Sequence, residues 1–278
     1  MDQHRRLAQG SPEYRCRRRQ IEFETRDFMA RYGAEGLRTG VVRIPVVVHV
    51  VWNTTAQNVS DTQIQSQIDV LNADFRRTNA DAANVPGVFA GVAADARIEF
   101  ALAMRDPQCG ATSGITRTFT RTVGVTMNTV NDVKSAATGG ADPWPADRYL
   151  NMWVANFTDN TLGWGTFPGT PANIDGVVIG TRAFGTIGTA TAPFHLGRTA
   201  THEVGHWLNL IHIWGDDSSS PDVCSGSDEC ANTPNQGRDN SGRPTFPCVS
   251  CGNGPNGDMF MNYMDYVDDA AMFMFTQD

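Results

Sequence analysis

Apolar positions along the chain predict a small number of strands. Residues 44–52 form an almost unbroken apolar run, which is typical of a strand that is buried on both faces. Residues 98–104 alternate between large apolar side chains and charged or small ones, which also predicts a strand. Two shorter apolar runs, residues 150–154 and 177–179, predict two more. The chain is therefore expected to contain a sheet.

One segment between these strands predicts an amphipathic helix. Ser60 and Gln63 form a capping box, a pairing that is typical of the start of a helix. Four apolar residues then follow at helical spacing, which gives the helix one apolar face. These residues are Ile64, Ile68, Leu71 and Phe75. We expect this helix to pack on the sheet.

The sequence His-Glu-Val-Gly-His at residues 202–206 carries the clearest chemistry. On a helix, His202 and His206 face the same side and can bind one metal ion. Glu203 stands where its carboxylate can reach a water on that metal without binding the metal itself. His212 would complete a site of three nitrogen ligands with one open position, which is typical of a catalytic zinc. The competing interpretation, buried histidines with no metal, would leave Glu203 and His206 without partners.

The third ligand distinguishes between classes of zinc protease. In one class it is a glutamate from a second helix, but the only glutamate after Glu203 is Glu229, in a segment that does not predict a helix. His212 instead fits the pattern HExxHxxGxxH. Asn209 occupies the glycine position of that pattern, where the chain must adopt a left-handed conformation. Because asparagine tolerates this conformation better than most residues, the departure is small.

Two segments resemble a known family: residues 202–215 (HEVGHWLNLIHIWG) and 261–269 (MNYMDYVDD). Both resemble metzincin zinc metalloproteases, and within that clan the pappalysin (pregnancy-associated plasma protein-A) family of microbial type. The resemblance covers residues from about 41 to the end. It implies an α+β catalytic domain with a twisted mixed sheet, an antiparallel edge strand, a backing helix, an active-site helix and an irregular C-terminal subdomain with a Met-turn.

The resemblance also implies roles for particular residues. Met264 would form the hydrophobic floor beneath the zinc. Tyr266 would lie near the metal, where a phenol can donate a hydrogen bond to a developing oxyanion. The strand before the zinc helix, residues 177–179, would be the antiparallel edge along which a peptide substrate pairs.

These residues predict a zinc endopeptidase that acts on protein or peptide substrates. Zinc would activate a water and polarise the scissile carbonyl, and Glu203 would act as general base and then as general acid. Two alternatives stay open from the sequence. One is a non-catalytic zinc or calcium protein that binds an extracellular partner, and the other is a zinc hydrolase of another bond type.

The first 40 residues differ in charge from the rest. They hold nine arginines and six acids, a net charge of about +3, while the whole chain is −8 and the remainder therefore about −11. A basic leader on an acidic body is typical of a prosegment that lies over a negative cleft. The alternative is a solvated basic tail. Residues 41–278 are predicted to be the catalytic domain, with an upper part (41–209) and a C-terminal subdomain (210–278).

Targeting signals are sparse. The chain shows no apolar signal segment near residue 1, no run long enough to span a membrane, and no basic cluster outside the leader that would favour nucleic acid.

The given sequence ends at Asp278, 14 residues past Met264, where the family resemblance implies a further C-terminal helix. The sequence is therefore expected to be a truncated form of such a domain.

Six cysteines favour a secreted, extracellular protein. Four lie between the zinc helix and the Met-turn: Cys224, Cys230, Cys248 and Cys251. A second zinc held by these thiolates is less favoured than disulfides, because only one pair has CxxC spacing. The sequence permits three disulfide connectivities. The family resemblance implies a Cys224–Cys251 disulfide, which leaves Cys230 and Cys248 as a nested pair.

The two other cysteines allow two interpretations. Cys16, in the leader, could bind the zinc at its open position and keep the enzyme latent, because a thiolate is an excellent zinc ligand. Alternatively, Cys16 could form a disulfide with Cys109. The zinc-ligand interpretation is the one we favour from the sequence.

The loop after the zinc helix also predicts calcium. It concentrates oxygen ligands in an irregular segment: Asp216, Asp217, Asp222, Asp228, Asn232 and Thr233. The family resemblance implies that Asp228 and Thr233 are ligands. The alternative is that these are solvated loop acids.

Two acids after the Met-turn predict specificity. Asp268 and Asp269 stand where the family's pocket for the residue after the scissile bond is formed, and an acid there would select arginine or lysine. The alternative places them outward on the loop. If the preference holds, the bonds before Arg38 and Arg43 are candidate sites of self-activation.

Overall fold

The structure is a computed structural model, and it describes residues 2–32, 40–215 and 224–277. Its main sheet has six strands: β1 (Val42–Trp52), β2 (Ile98–Leu102), β3 (Ile115–Phe119), β4 (Leu150–Ala155), β5 (Gly163–Gly165) and β6 (Val177–Gly180). The order is β2-β1-β4-β6-β5, and β3 also pairs with β1. Only the β5–β6 pairing is antiparallel. The predicted mixed sheet and α+β class are confirmed.

The antiparallel edge strand is β5, so its assignment to residues 177–179 was wrong. Those residues form β6, which is fully buried and pairs with β4 on one side and β5 on the other. β5 reads Gly-Trp-Gly and has no strand pattern of its own. Its glycines are required by space, because a Cβ on Gly163 would lie 2.7 Å from Cγ of Glu203.

The backing helix is α3 (Asp61–Phe75), and its predicted apolar face is buried against the sheet. Oγ of Ser60 accepts a hydrogen bond from the backbone N–H of Gln63, as the capping box predicts. The Gln63 side chain does not return to the cap. It donates instead to the carbonyl of Phe184 and to Oγ1 of Thr189, and so ties the helix to the segment before the zinc helix.

The leader forms two helices, α1 (Asp2–Gly10) and α2 (Pro12–Tyr32), which pack on the body of the protein. Tyr14 is buried, and Arg6 donates a hydrogen bond to Oδ1 of Asn128 at 2.6 Å. Further along α2, Arg26 pairs with Glu229 of the C-terminal subdomain at 2.9 Å. In this structure the described leader is thus folded against the domain rather than extended into solvent.

The C-terminal subdomain is irregular, as predicted. It includes a short parallel pair of strands, β7 (Ser241–Gly242) and β8 (Tyr266–Val267). Residues 272–275 are buried and return to the upper part of the domain, where the rings of Phe75 and Phe275 lie 4.8 Å apart. No helix in the described ranges is both long and apolar enough to cross a membrane.

One of the two predicted disulfides is present. Cys224 and Cys251 are joined across 27 residues and close the loop between the zinc helix and the Met-turn. Cys230 and Cys248 are thiols in this structure, which differs from the predicted nested pair.

Candidate active site

Helix α4 (Arg198–Trp207) presents the two motif histidines to a cleft. Ala200 and Val204 on the helix are buried in the hydrophobic core. His202 and His206 lie about half a turn away from these residues, so they point out of the core on the other face of the helix. The same helix therefore contributes both to the core and to the site.

Three histidine nitrogens converge at the cleft. Nε2 of His212 lies 3.1 Å from Nε2 of His206 and 3.2 Å from Nε2 of His202, and all three side chains are buried. In a tetrahedral zinc site with Zn–N distances of about 2.0–2.1 Å, the nitrogens would be about 3.3–3.4 Å apart. The spacing therefore fits one small metal ion. Among the described residues, these three histidines are the one group of three or more His, Cys, Asp or Glu side chains that could hold a metal ion.

Backbone carbonyls fix the orientation of two of these rings. Nδ1 of His202 lies 2.7 Å from the carbonyl of Tyr263, and Nδ1 of His206 lies 2.8 Å from the carbonyl of Leu210. Since a carbonyl only accepts, each Nδ1 carries the proton and each Nε2 keeps its lone pair for a metal. Burial and the neighbouring histidines lower the pKa of His206 well below its ordinary value, which also favours the neutral ligand form.

His212 reaches the site because the chain turns sharply after α4. Asn209 has a φ of 86°, the left-handed conformation predicted for the position that glycine occupies in the motif. The ring of Trp214 then stacks on His212, with centroids 4.2 Å apart and planes at 10°. Trp214 lies within residues 202–215, but its contact with His212 was not predicted, because helical spacing cannot predict a stacking contact.

Met264 of the Met-turn packs directly beneath the histidine helix. A Cβ built on Gly205 would lie 2.5 Å from Sδ of Met264, which is too close for any side chain larger than glycine unless something shifts. Met264 is buried, and its backbone N–H donates to Oδ1 of Asn262. Met264 is thus buried against the helix that carries His202 and His206, on the side of Gly205.

Tyr266 lies beside the metal ligands and is about half exposed. Its ring centroid is 4.7 Å from that of His212 and 5.5 Å from that of His202. Its backbone N–H donates to Asp265, a buried carboxylate that also accepts from the Gln236 side chain. Burial raises the pKa of Asp265 to about 7. Asp265 was not recognised from the sequence, because its other hydrogen-bond donors, Gln236 and Asn240, are 25 or more residues away.

Glu203 lies between α4 and the edge strand β5. Its burial raises the pKa of the carboxyl to about 7, and a hydrogen bond from the Gly165 backbone N–H opposes that rise. Lys134 is buried nearby, and its ammonium donates to the Ile174 carbonyl at 2.7 Å. Burial lowers the pKa of Lys134 to about 7. No pattern in the sequence indicated Lys134.

A cavity of about 600 Å³ adjoins the histidine cluster and is lined by His202, Glu203, Tyr266 and Asp269, among others. The Asp269 carboxylate is buried, accepts a hydrogen bond from the backbone N–H of Leu196 at 2.7 Å, and has a pKa that burial raises. Asp268 does not line this cavity, and its carboxylate lies 3.6 Å from Nε of Arg243 instead. The structure thus separates the two predicted pocket acids.

Cys16 is exposed on α2, and its sulfur is not part of the described ligand cluster. The prediction of Cys16 as a zinc ligand is therefore wrong for this conformation. The physical reason is that Tyr14, two residues earlier, faces the domain and is buried, so Cys16 faces outward on the helix. Cys109 is also an exposed thiol, so the alternative disulfide is not formed either.

Of the predicted calcium ligands, Asp228, Asn232 and Thr233 are described, and Asp216, Asp217 and Asp222 lie outside the described residues. Burial raises the pKa of Asp228 to about 6, and its interaction with the Thr233 hydroxyl opposes the rise. A partly buried carboxylate beside a hydroxyl oxygen offers the oxygen donors that calcium prefers.

Comparison with known proteins is consistent with this geometry. A model of the pregnancy-associated plasma protein-A family matches residues 134–278. An extracellular metalloprotease of Pyricularia oryzae is 30% identical over 257 residues, which cover 89% of this chain and 75% of the relative. An extracellular metalloprotease of Arthroderma otae is 28% identical, covering 93% of this chain and 83% of the relative.

Solved structures are more similar still. Mature mirolysin of Tannerella forsythia, in complex with a cleaved peptide, is 54% identical, with a TM-score of 0.83 over 86% of this chain and 89% of that one. A mutant of promirolysin from the same organism is 48% identical, with a TM-score of 0.87 over 99% of this chain and 88% of that one. The family model matches more than half of the chain, and the Pyricularia oryzae relative is covered over 75% of its length. These matches favour a protease over a non-catalytic binding protein or a zinc hydrolase of another bond type. The chain belongs to the pregnancy-associated plasma protein-A family of metzincin proteases and is a metalloendopeptidase.

Proposed function

We propose that this metalloendopeptidase uses zinc and a Glu203-assisted water to cleave peptide bonds before arginine or lysine. The observation that carries the proposal is the convergence of three Nε2 atoms beside Glu203, at the mouth of a cavity that an acid lines. Zinc, when bound, would acidify a water and polarise the scissile carbonyl.

The chain's own residues then supply the proton transfers. Glu203 accepts a proton from the attacking water and delivers it to the leaving amine. Tyr266, with its ring against two metal ligands, is placed to donate its phenol hydrogen to the oxyanion.

The edge strand suggests how a peptide is oriented. We infer that the substrate pairs with β5 as an antiparallel strand, since β5 has one pairing side unused within the described sheet. In that orientation the C-terminal half of the peptide runs towards Leu162 and Gly163, which line the large cavity. The residue after the scissile bond therefore enters the cavity with Asp269, whose carboxylate would pair with a guanidinium or an ammonium.

Cleavage of a mixed peptide library tests this proposal, with Asp269→Asn and Asp268→Asn as matched variants. We expect chelator-sensitive cuts before arginine and lysine. The preference should fall by about tenfold or more in Asp269→Asn and not in Asp268→Asn, because Asp269 lines the cavity and Asp268 does not. Equal effects of the two substitutions, or cuts that ignore the following residue, would contradict the assigned pocket.

We further propose that calcium binds at Asp228 and Thr233. The raised pKa of Asp228 supports this, because a cation would stabilise the ionised form that burial disfavours. The test is thermal unfolding with and without calcium. Calcium should raise the Tm of the parent protein and not that of Asp228→Ala, with Asp95→Ala, an acid on the other subdomain, as control. An equal rise in all three would argue against this site.

The leader, residues 1–40, is proposed to be a prosegment that covers the site until it is cut off. Arg43 lies inside β1 and pairs with Glu99 of β2, so the bond before it is held within the sheet. The bond before Arg38, which lies outside the described residues, is therefore the favoured site of self-activation. N-terminal sequencing of the processed protein should begin at Arg38, and a start within β1 would contradict this choice.

Secretion is the location we propose. The relatives are named extracellular, and the Cys224–Cys251 disulfide is of a kind that persists in oxidising compartments. Detection of the intact disulfide in protein recovered from culture medium tests this, and recovery only from the cell interior as a reduced protein would contradict it.

A further inference from the structure

The Arg18 side chain of the leader lies in a largely enclosed site on the catalytic domain. Its guanidinium carbon lies 5.4 Å from the centre of the Phe167 ring, and one of its nitrogens donates hydrogen bonds to Oδ1 of Asn209 and, at 3.4 Å, to the Pro168 carbonyl. The side chain of Arg18 is only 11% exposed. An aromatic face combined with two oxygen acceptors is an arrangement that recognises a guanidinium.

Most of this site does not belong to the leader. Phe167 and Pro168 follow the edge strand β5, and Asn209 follows the zinc helix α4. The leader's own contribution is Glu22, which accepts from Arg18 at 2.6 Å and from the Asn209 amide at 3.3 Å. When the leader is removed, the aromatic face and both acceptors of the catalytic domain remain.

The site lies on the path expected for a substrate. A Cβ on Gly165 would lie 3.1 Å from Cβ of His206, so the end of β5 is level with a metal ligand. Phe167 is two residues further, about 7 Å along an extended chain. Its ring centroid is 5.1 Å from that of His206. A peptide antiparallel to β5 therefore passes Phe167 with its second or third residue before the scissile bond.

We propose that Phe167, Pro168 and Asn209 form a second basic subsite, which binds an arginine side chain two or three residues before the scissile bond once the leader has left. The inference rests on the substrate direction given under the proposed function. In the full chain, Arg18 fills the subsite, so the leader and the substrate compete for one guanidinium site. The acceptors are neutral, so recognition depends on hydrogen bonds and the ring face rather than on an opposing charge.

The test uses the processed enzyme without its leader and matched peptides with arginine after the scissile bond. At each of the three positions before the scissile bond, one peptide with arginine is compared with one that has citrulline there. Citrulline has nearly the same shape as arginine but no charge. We expect kcat/KM to be about tenfold higher for arginine at the second or third position and equal for the two residues at the first. This comparison needs no variant, so it does not depend on how a substituted protein folds.

Two substitutions of Asn209 sharpen the result. Asn209→Gly keeps the left-handed turn but removes the acceptor, and it should reduce the arginine-to-citrulline ratio. Asn209→Asp adds a charge opposite the guanidinium and should raise that ratio. Equal cleavage of arginine and citrulline peptides at every position would overturn the subsite while leaving the protease function intact. An absence of chelator-sensitive cleavage would contradict the proposed function itself, and the subsite with it.

Discussion

The metal-facing side of the zinc helix and the leader-facing surface beside it are built differently. On the metal side, every ligand is buried, and two of them are fixed by backbone carbonyls. On the leader side, the contacts with the domain are mainly side-chain contacts, and the Arg26–Glu229 pair is more than half exposed on both partners. The first arrangement holds a site in one geometry. The second contains, among the described residues, no backbone–backbone hydrogen bond between the leader and the domain.

The largest effect should come from the metal side. Glu203→Ala should keep the metal and lower turnover by at least a factor of about 100, because it removes the proton-transfer group. His206→Ala should lose both metal and activity, because two nitrogen ligands are not enough to hold the ion. Metal content and peptide cleavage, measured on the same samples, separate the two outcomes. Full activity in Glu203→Ala would rule out the mechanism.

A smaller but clear loss is expected from Gly205→Ala. The added Cβ would meet Sδ of Met264 at 2.5 Å, and overpacking of this kind costs about 1–3 kcal/mol in the free energy of unfolding. Gly87→Ala is the matched control, since a Cβ there has no heavy atom within 4 Å. Urea unfolding of both variants measures the difference. If both changed stability equally, the tight Met264 contact would not be the cause.

The buried Lys134 predicts a pH-dependent stability. The pKa of Lys134 is about 7 in the folded protein, and 10.5 is the ordinary value for a lysine, as in an unfolded chain. Between these pH values, Lys134 therefore carries a proton in the unfolded chain that it lacks in the folded protein. The free energy of unfolding should therefore rise with pH from about 7 to about 10, by at most about 1.4 kcal/mol per unit from this group. Lys134→Met should lose that contribution. Parallel pH profiles of the two proteins would show that Lys134 does not titrate in this range.

The smallest effect is expected on the exposed part of the leader surface. Arg26→Ala should barely change the affinity of the leader for the processed enzyme, because exposed ion pairs contribute only about 0–1 kcal/mol. Arg18→Ala should weaken it more, because Arg18 is largely buried and has three kinds of contact. Inhibition of the processed enzyme by synthetic leader peptides measures both. The reverse order would mean that the leader is held mainly by surface charge.

The strands and helices that the sequence predicted are those with a strong local pattern. β1, α3 and α4 each carry an apolar periodicity or a motif that fixes their type. β5 and β3 were not predicted. β5 is only three residues long, and its Gly-Trp-Gly sequence becomes a strand because β6 pairs with it and the Glu203 side chain leaves room only for glycine.

The candidate site divides in the same way. The structure brings together the residues that the sequence named: the three histidines, Glu203 and Tyr266 lie at one cleft, and Met264 packs against the same helix. It could not find Trp214, Asp265 or Lys134, and it chose Cys16 wrongly. A stacking ring, a buried carboxylate network and a buried lysine depend on residues that are far apart in the chain, and the face of α2 that packs on the domain is set by the domain.

By itself, the sequence determined the metal chemistry, because helical geometry forces residues four apart onto one face and a left-handed residue lets the third histidine return. The tertiary structure alone decided that Asp269 rather than Asp268 lines the cavity, that β5 is the open edge, and that Arg18 rather than Cys16 occupies a site near the metal ligands. Each of these outcomes is a choice between neighbouring residues or strands. Such a choice depends on which face is buried, and burial is a property of the folded chain as a whole.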